Sequence, residues 1–206
     1  MNTLQQIRLI WKPSVFLLCL IPAVLVVTDA FELTGRLGAN PIEEIQDRFG
    51  NWALRFILIT LAITPLRRLS DWNWLSRYRR MIGLFAFFYA LMHFLAWLIL
   101  DQGLLLSAIL EDIVKRPFIS IGFLAVLLLL ALALTSFTAI RRRMGRNWQK
   151  LHNSVYLAAI LGVSHYWWQV KKDITEPLIY ATILAVLLAA RLGWRYRRHR
   201  AKKNPA

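Results

Sequence analysis

A chain of 206 residues, 58% of them hydrophobic, with a mean hydropathy of +0.47 and a net charge of +15, is too apolar for an ordinary water-soluble domain. The apolar residues come in long blocks with the charges between them, which predicts an all-α, polytopic membrane protein: one bundle of transmembrane helices over residues 1–206 and a basic tail from about 195. The charge excess sits in short connections, where the cytoplasmic preference of Lys and Arg accounts for it, so a nucleic-acid partner is excluded and the lipid bilayer is the partner expected.

Crossing the hydrocarbon takes about 20 helical residues. Six segments qualify in chain order: Pro13–Thr28, Asn51–Leu66, Met81–Leu100, Pro117–Ile140, Leu151–Val170 and Pro177–Trp194. The first follows Arg8 and Lys12 as a signal peptide's core would, but no small-x-small cleavage site stands after it, so it reads as a retained helix. It holds Cys19, the single cysteine, which excludes an intrachain disulfide and reads as a small buried hydrophobe. The second segment is short and contains Arg55; it is expected to begin earlier, in "PIEEIQDRFG", and to end at Pro65. Pro13, Pro117 and Pro177 stand near helix starts, where proline's lacking N–H goes unmissed.

The connections alternate in sign. The first carries Asp29, Glu32, Glu43, Glu44 and Asp47; the second carries Arg67, Arg68, Arg77, Arg79 and Arg80. The fourth, "RRRMGRNWQK", and the tail "RYRRHRAKK" are basic, and so is the N-terminus. Both termini are therefore expected in the cytoplasm. No internal repeat of the kind that builds inverted-repeat transporters is read.

Ionisable side chains are expensive in hydrocarbon and mark function there. His93 lies 12 residues past Met81, and His165 lies 14 past Leu151, on helices running the same way. Both are then about 18–21 Å deep, just beyond the midplane. Two imidazoles at equal depth on different helices are the pattern that holds a haem iron axially; a hydrogen-bonded core histidine or a proton relay is the alternative. His152 sits at the cytoplasmic edge of the fifth segment. It is 13 residues from His165, which on one continuous helix leaves the two roughly 140° apart. It is open between a ligand of a second haem, an alternative ligand, a flavin or quinone contact, and an interfacial residue. His199 in the tail reads as headgroup-facing. Arg55 reads as snorkelling from one turn inside the periplasmic end, or as the counter-ion of a haem propionate or ligand phosphate. Arg77, Arg79 and Arg80 read as headgroup residues and as possible anchors for a flavin phosphate. Trp97, Trp167 and Trp168 fit an interfacial aromatic belt.

The pieces "ALRFILITLAITPLRR", "RRMIGL", His93, "KRPFISIG", "ALTS", "WQKLHNSVYLAAIL" and "HYWW", in this order and spacing, resemble the MsrQ (YedZ) family of the ferric-reductase-like transmembrane superfamily. The similarity runs from the first helix to "PLIY" in the sixth. The resemblance implies a haem b electron-transfer subunit of the bacterial inner membrane. It implies His93, His152 and His165 as haem-associated histidines, and bound FMN. It implies a periplasmic molybdopterin methionine-sulfoxide reductase as acceptor, repairing oxidised periplasmic proteins. The related NADPH oxidases carry a cytosolic flavin and nicotinamide domain that the family lacks. A short tail after the sixth segment agrees, so the donor is expected to be the quinol pool or a soluble flavin reductase. NADPH oxidases have two histidines on the third helix where this chain has one, so one haem is expected and two are possible.

Two other classes predict different behaviour. A proton or ion transporter using the histidines as relays would be colourless, and no broken helix pair or acidic intramembrane residue is read in the sequence to favour it. A purely structural anchor would tolerate loss of the histidines. A complete stand-alone reductase is disfavoured, since no GxGxxG occurs.

Overall fold

The computed structural model describes residues 3–170 and 173–203, with the side chains of 3, 4, 7, 8, 198, 199 and 201–203 left aside. The expectation for His199 lies outside the described side chains. Among the described residues every regular element is helical.

A lead-in of α1 (Thr3–Gln6) and a π turn (Ile7–Trp11) enters α2 (Lys12–Ala30), with Pro13 in its first turn. Pro22 lies inside α2 and removes one backbone donor there. Just beyond it the Tyr89 hydroxyl enters the ladder, accepting from the Ala23 amide (3.0 Å) and donating to the Cys19 carbonyl (2.7 Å). Tyr89 is fully buried, and Cys19 is buried as expected.

The second helix, α3 (Pro41–Ser70), does begin in "PIEEIQDRFG". Asn40 caps it by accepting from the Glu43 amide, and Pro41 fills its first position. Arg48 ties its first turns to Asp29 at the end of α2 and to Glu44. Pro65 does not end it: the helix continues to Ser70 and stops at Asp71, which is left-handed (φ 58°). Arg55 accordingly sits mid-helix rather than near an end.

A short 3₁₀ turn (Asn73–Arg77) leads to α4 (Arg79–Ala96), which finishes in a π turn (Trp97–Asp101). The third connection contains α5 (Leu106–Lys115). Next, α6 (Pro117–Leu134) ends six residues before the expected Ile140, because Thr135 and Ser136 turn their hydroxyls onto the Ala131 and Leu132 carbonyls and Phe137 is extended. The short α7 (Thr138–Met144) and α8 (Arg146–His152) meet at Gly145, whose φ of 52° and ψ of −124° suit glycine alone.

The expected fifth span, Leu151–Val170, is not one helix. The backbone tightens to three-residue bonds at Leu151–Ser154 and Asn153–Tyr156, and a new helix, α9 (Val155–Gln169), follows. Its 15 residues reach about 22 Å, short of the ~30 Å hydrocarbon layer. The last helix is α10 (Thr175–Lys203). Among the described residues, five helical stretches are long and apolar enough to cross a membrane: Leu9–Ala30, Pro41–Ser70, Arg79–Asp101, Pro117–Leu134 and Thr175–Arg197. Leu17, Val24, Leu124, Ile183 and Val186 point outward from them, as lipid-facing residues do.

The core is a ring of four helices. The hairpin α3–α4 packs against the hairpin α6–α9, with α4 on α6 and α9 on α3. Outside it, α2 leans on α3 and α4, α10 on α3 and α9, and α5 on α6. The hairpins correspond residue for residue at an offset of 72: buried Ala53, Ile57 and Ala86 match buried Ala125, Leu129 and Ala158. Because both hairpins run in the same direction, this is a parallel repeat rather than an inverted one.

Candidate functional site

His93 projects from α4 and His165 from α9, the diagonal pair of the ring. Their ring centres are 6.0 Å apart and their planes are inclined at 78°. Each ring is half-buried and anchored the same way. His93 Nδ1 is 2.8 Å from the Gln46 carbonyl on α3, and His165 Nδ1 is 2.7 Å from the Phe118 carbonyl on α6. A peptide carbonyl only accepts, so Nδ1 carries the proton in both rings and Nε2 keeps its lone pair.

That arrangement suits a metal between them. A ligating imidazole nitrogen lies about 2 Å from its metal and about 1.1 Å from its own ring centre, so facing imidazoles have centres about 6 Å apart. No group of three or more His, Cys, Asp or Glu converges among the described residues. Two imidazoles fall short of the four ligands a protein-only zinc site uses. The donor set therefore fits a metal that brings its own equatorial donors, as the iron of a haem does.

Arg55 and His152 lie elsewhere. Arg55 Nε donates to the Tyr180 hydroxyl (2.9 Å) and its guanidinium lies 4.9 Å over the Trp52 ring. It does not snorkel from a helix end, and no carboxylate pairs with it among the described residues. His152 ends α8, so its phase cannot be carried along a continuous helix to His165. Its Nε2 is 3.1 Å from the Thr135 hydroxyl and its ring stacks on Trp148 (3.9 Å, 27°). Arg79 is close enough for its charge to act on His152, while Arg80 is exposed at the start of α4. Among the described residues, the structure brings His93 and His165 together as a facing pair and sets Arg79 near His152 at a separate place. Trp97 departs from the expected belt: it is buried against Phe94. Trp167 and Trp168 are exposed as expected.

Comparison with known proteins bears on this arrangement. The family described as "Ferric reductase like transmembrane component" matches residues 49–163. A Herminiimonas arsenicoxydans protein called "Protein-methionine-sulfoxide reductase heme-binding subunit MsrQ" is 52% identical over 177 residues, covering 84% of this chain and 81% of its own. A protein of the same name from Ralstonia nicotianae is 49% identical over 200 residues, 95% of this chain and 89% of its own. The chain belongs to the MsrQ family, within the ferric-reductase-like transmembrane proteins.

In this MsrQ-family chain the segment matching the ferric-reductase family takes in His93, Arg55 and His152 and stops two residues before His165. Sequence reasoning missed the partners that hold the imidazoles, since a backbone carbonyl leaves no mark in a sequence. A signal was nonetheless present: Gly50 precedes His93 by 43 residues, and Gly122 precedes His165 by the same 43. Tyr180, which fixes Arg55, had no sequence cue at all.

Proposed function

We propose that this chain is a haem b electron-transfer subunit of the bacterial inner membrane. It takes electrons from the quinol pool or a cytosolic flavin reductase and delivers them to a periplasmic molybdopterin-containing methionine-sulfoxide reductase that repairs oxidised proteins. The observation that carries this reading is the pair of carbonyl-anchored imidazoles whose centres stand 6.0 Å apart. The relatives' names, which print a haem-binding subunit of that reductase system, support it.

In this reading His93 and His165 would hold the haem iron. When bound, the haem supplies a one-electron Fe(III)/Fe(II) couple. The chain's own residues do the rest. The Gln46 and Phe118 carbonyls hold the tautomers. Arg55 lies five residues, about 7.5 Å, along α3 from Gly50 and about 140° round the helix from it, on the side of Tyr180, and is the cation we propose for a propionate. The site lies toward the end of the bundle carrying Asp29, Glu44 and Asp47, away from the arginine-rich connections. By the positive-inside rule that end is periplasmic, the side of the acceptor.

The basic N-terminus and the basic tail favour one compartment, the cytoplasm, for both. That requires an even number of crossings, with α9 as a short sixth pass sheltered by α3, α6 and α10. At the cytoplasmic end, Arg79, whose charge reaches His152, is the cation we propose for an anionic donor-side ligand such as the phosphate of FMN.

The test is a reduced-minus-oxidised spectrum of the detergent-purified protein with a pyridine haemochrome count. A b-type α-band at about one haem per chain is expected. A colourless protein that also refuses added haemin would overturn the reading and favour a histidine-relay transporter.

A further inference from the structure

The imidazoles are anchored by a device that occurs twice, and it deepens the haem reading on which it rests. In an α-helix the carbonyl of residue i points toward residue i+4, and it has a second lone pair to offer. A side chain from a neighbouring helix reaches that lone pair only by passing over position i+4. The acceptor Gln46 is followed four residues later by Gly50, and the acceptor Phe118 by Gly122. A Cβ on Gly50 would stand 3.0 Å from His93 Nδ1, and one on Gly122 would stand 2.7 Å from His165 Nδ1. Either is closer than a methyl group normally sits. Other helical glycines differ: a Cβ on Gly83 would meet Thr60 at 3.6 Å, and one on Gly162 would meet Leu54 at 3.5 Å, both ordinary contacts.

Glycine weakens a helix interior, so its presence at the same register of both repeats needs a cause. The hydrogen-bond geometry provides one. We propose that Gly50 and Gly122 are positioning residues: each opens a slot through which a haem-ligating histidine donates its Nδ1 proton to a helix carbonyl. The slot fixes the ring's rotation and tautomer, aims Nε2 across the ring of helices, and makes that nitrogen a stronger donor. A stronger donor favours ferric over ferrous iron, so the slots hold the reduction potential down.

The experiment compares G50A, G122A, G83A and G162A in the full-length protein purified in detergent. Three quantities are read: haemin rebinding by the stripped protein, the midpoint potential, and the low-spin EPR g-values. In G122A and G50A the added methyl pushes the ring off its carbonyl. Haemin rebinding is expected to weaken by about 10- to 100-fold, the scale on which outer partners of ligating histidines act. The midpoint potential moves upward and the g-values shift, more in G122A than in G50A. G83A and G162A match the parent. If G122A does not accumulate, G50A, with the milder clash, carries the test. G50A and G122A indistinguishable from G83A in potential and g-values would overturn the proposal while leaving the haem reading intact. Failure of the haem reading gives a different result: a colourless parent protein that refuses added haemin, with no potential or g-values to compare.

Discussion

At the scale of single residues, the two histidine environments separate sharply. His93 and His165 each give Nδ1 to a carbonyl and leave Nε2 free, whereas His152 engages Nε2 with Thr135 and lies flat on Trp148. His152 thus stands apart from the His93–His165 pair, with its Nδ1 the nitrogen that makes no bond to Thr135. The H152A variant is expected to keep the parent's haem count by pyridine haemochrome; loss of half or more of the haem would make it a ligand. Arg55 is the other informative residue. It is a cation within a span, steadied by Tyr180 and Trp52 but paired with no carboxylate among the described residues. If it neutralises a propionate as proposed, replacing it by Gln should weaken haemin binding without abolishing the low-spin spectrum, since its partners are Tyr180 and Trp52 and neither histidine. Titration with haemin checks this, and an unchanged affinity would return Arg55 to a structural role.

At the scale of elements, the Tyr89 hydroxyl is the clearest case of one helix completing another. It bridges the Cys19 carbonyl and the Ala23 amide of α2, next to Pro22, from a fully buried position on α4. Removing the hydroxyl breaks both of these bonds in a dry interface, at a cost of about 1–3 kcal/mol. Y89F should therefore lower the thermal midpoint in detergent, while its haem spectrum stays that of the parent. Helix positions and starts were largely legible in the sequence. The run "PIEEIQDRFG" announced the early start of α3, and Pro117 announced α6. The break at Asn153–Ser154 was not, because its cause is a tightening of backbone hydrogen bonds inside an apolar run that reads as unbroken. Pro65 misled in the opposite sense: α3 carries on through it to Ser70. The equal depth of His93 and His165 could be counted from residue numbers. The carbonyls and glycines that orient them became visible only once the hairpins were placed side by side.

At the scale of the whole molecule, two parallel hairpins form the ring and three outer helices shield it. Each hairpin supplies one imidazole and the carbonyl that holds it. The account of sidedness is open to a direct check, because Cys19 is the single native cysteine. In a C19A background, cysteines placed at Asp71 and Arg142 should react with an impermeant maleimide only after the inner membrane is opened. Cysteines at Gln102 and Asp173 should react in intact spheroplasts. The reverse labelling would invert the topology. Position 173 labelled like position 142 would show that α9 does not cross.

The most direct test of the central claim is the EPR spectrum of the oxidised protein and of its H93A and H165A variants. Two imidazoles that held a haem iron with the 78° inclination these rings show would leave its dπ orbitals nearly degenerate and give a strongly anisotropic low-spin signal with one large g-value. The account predicts that signal in the parent and its loss in both variants, together with the loss of tightly held haem. An undiminished low-spin signal and full haem content in both variants would contradict it.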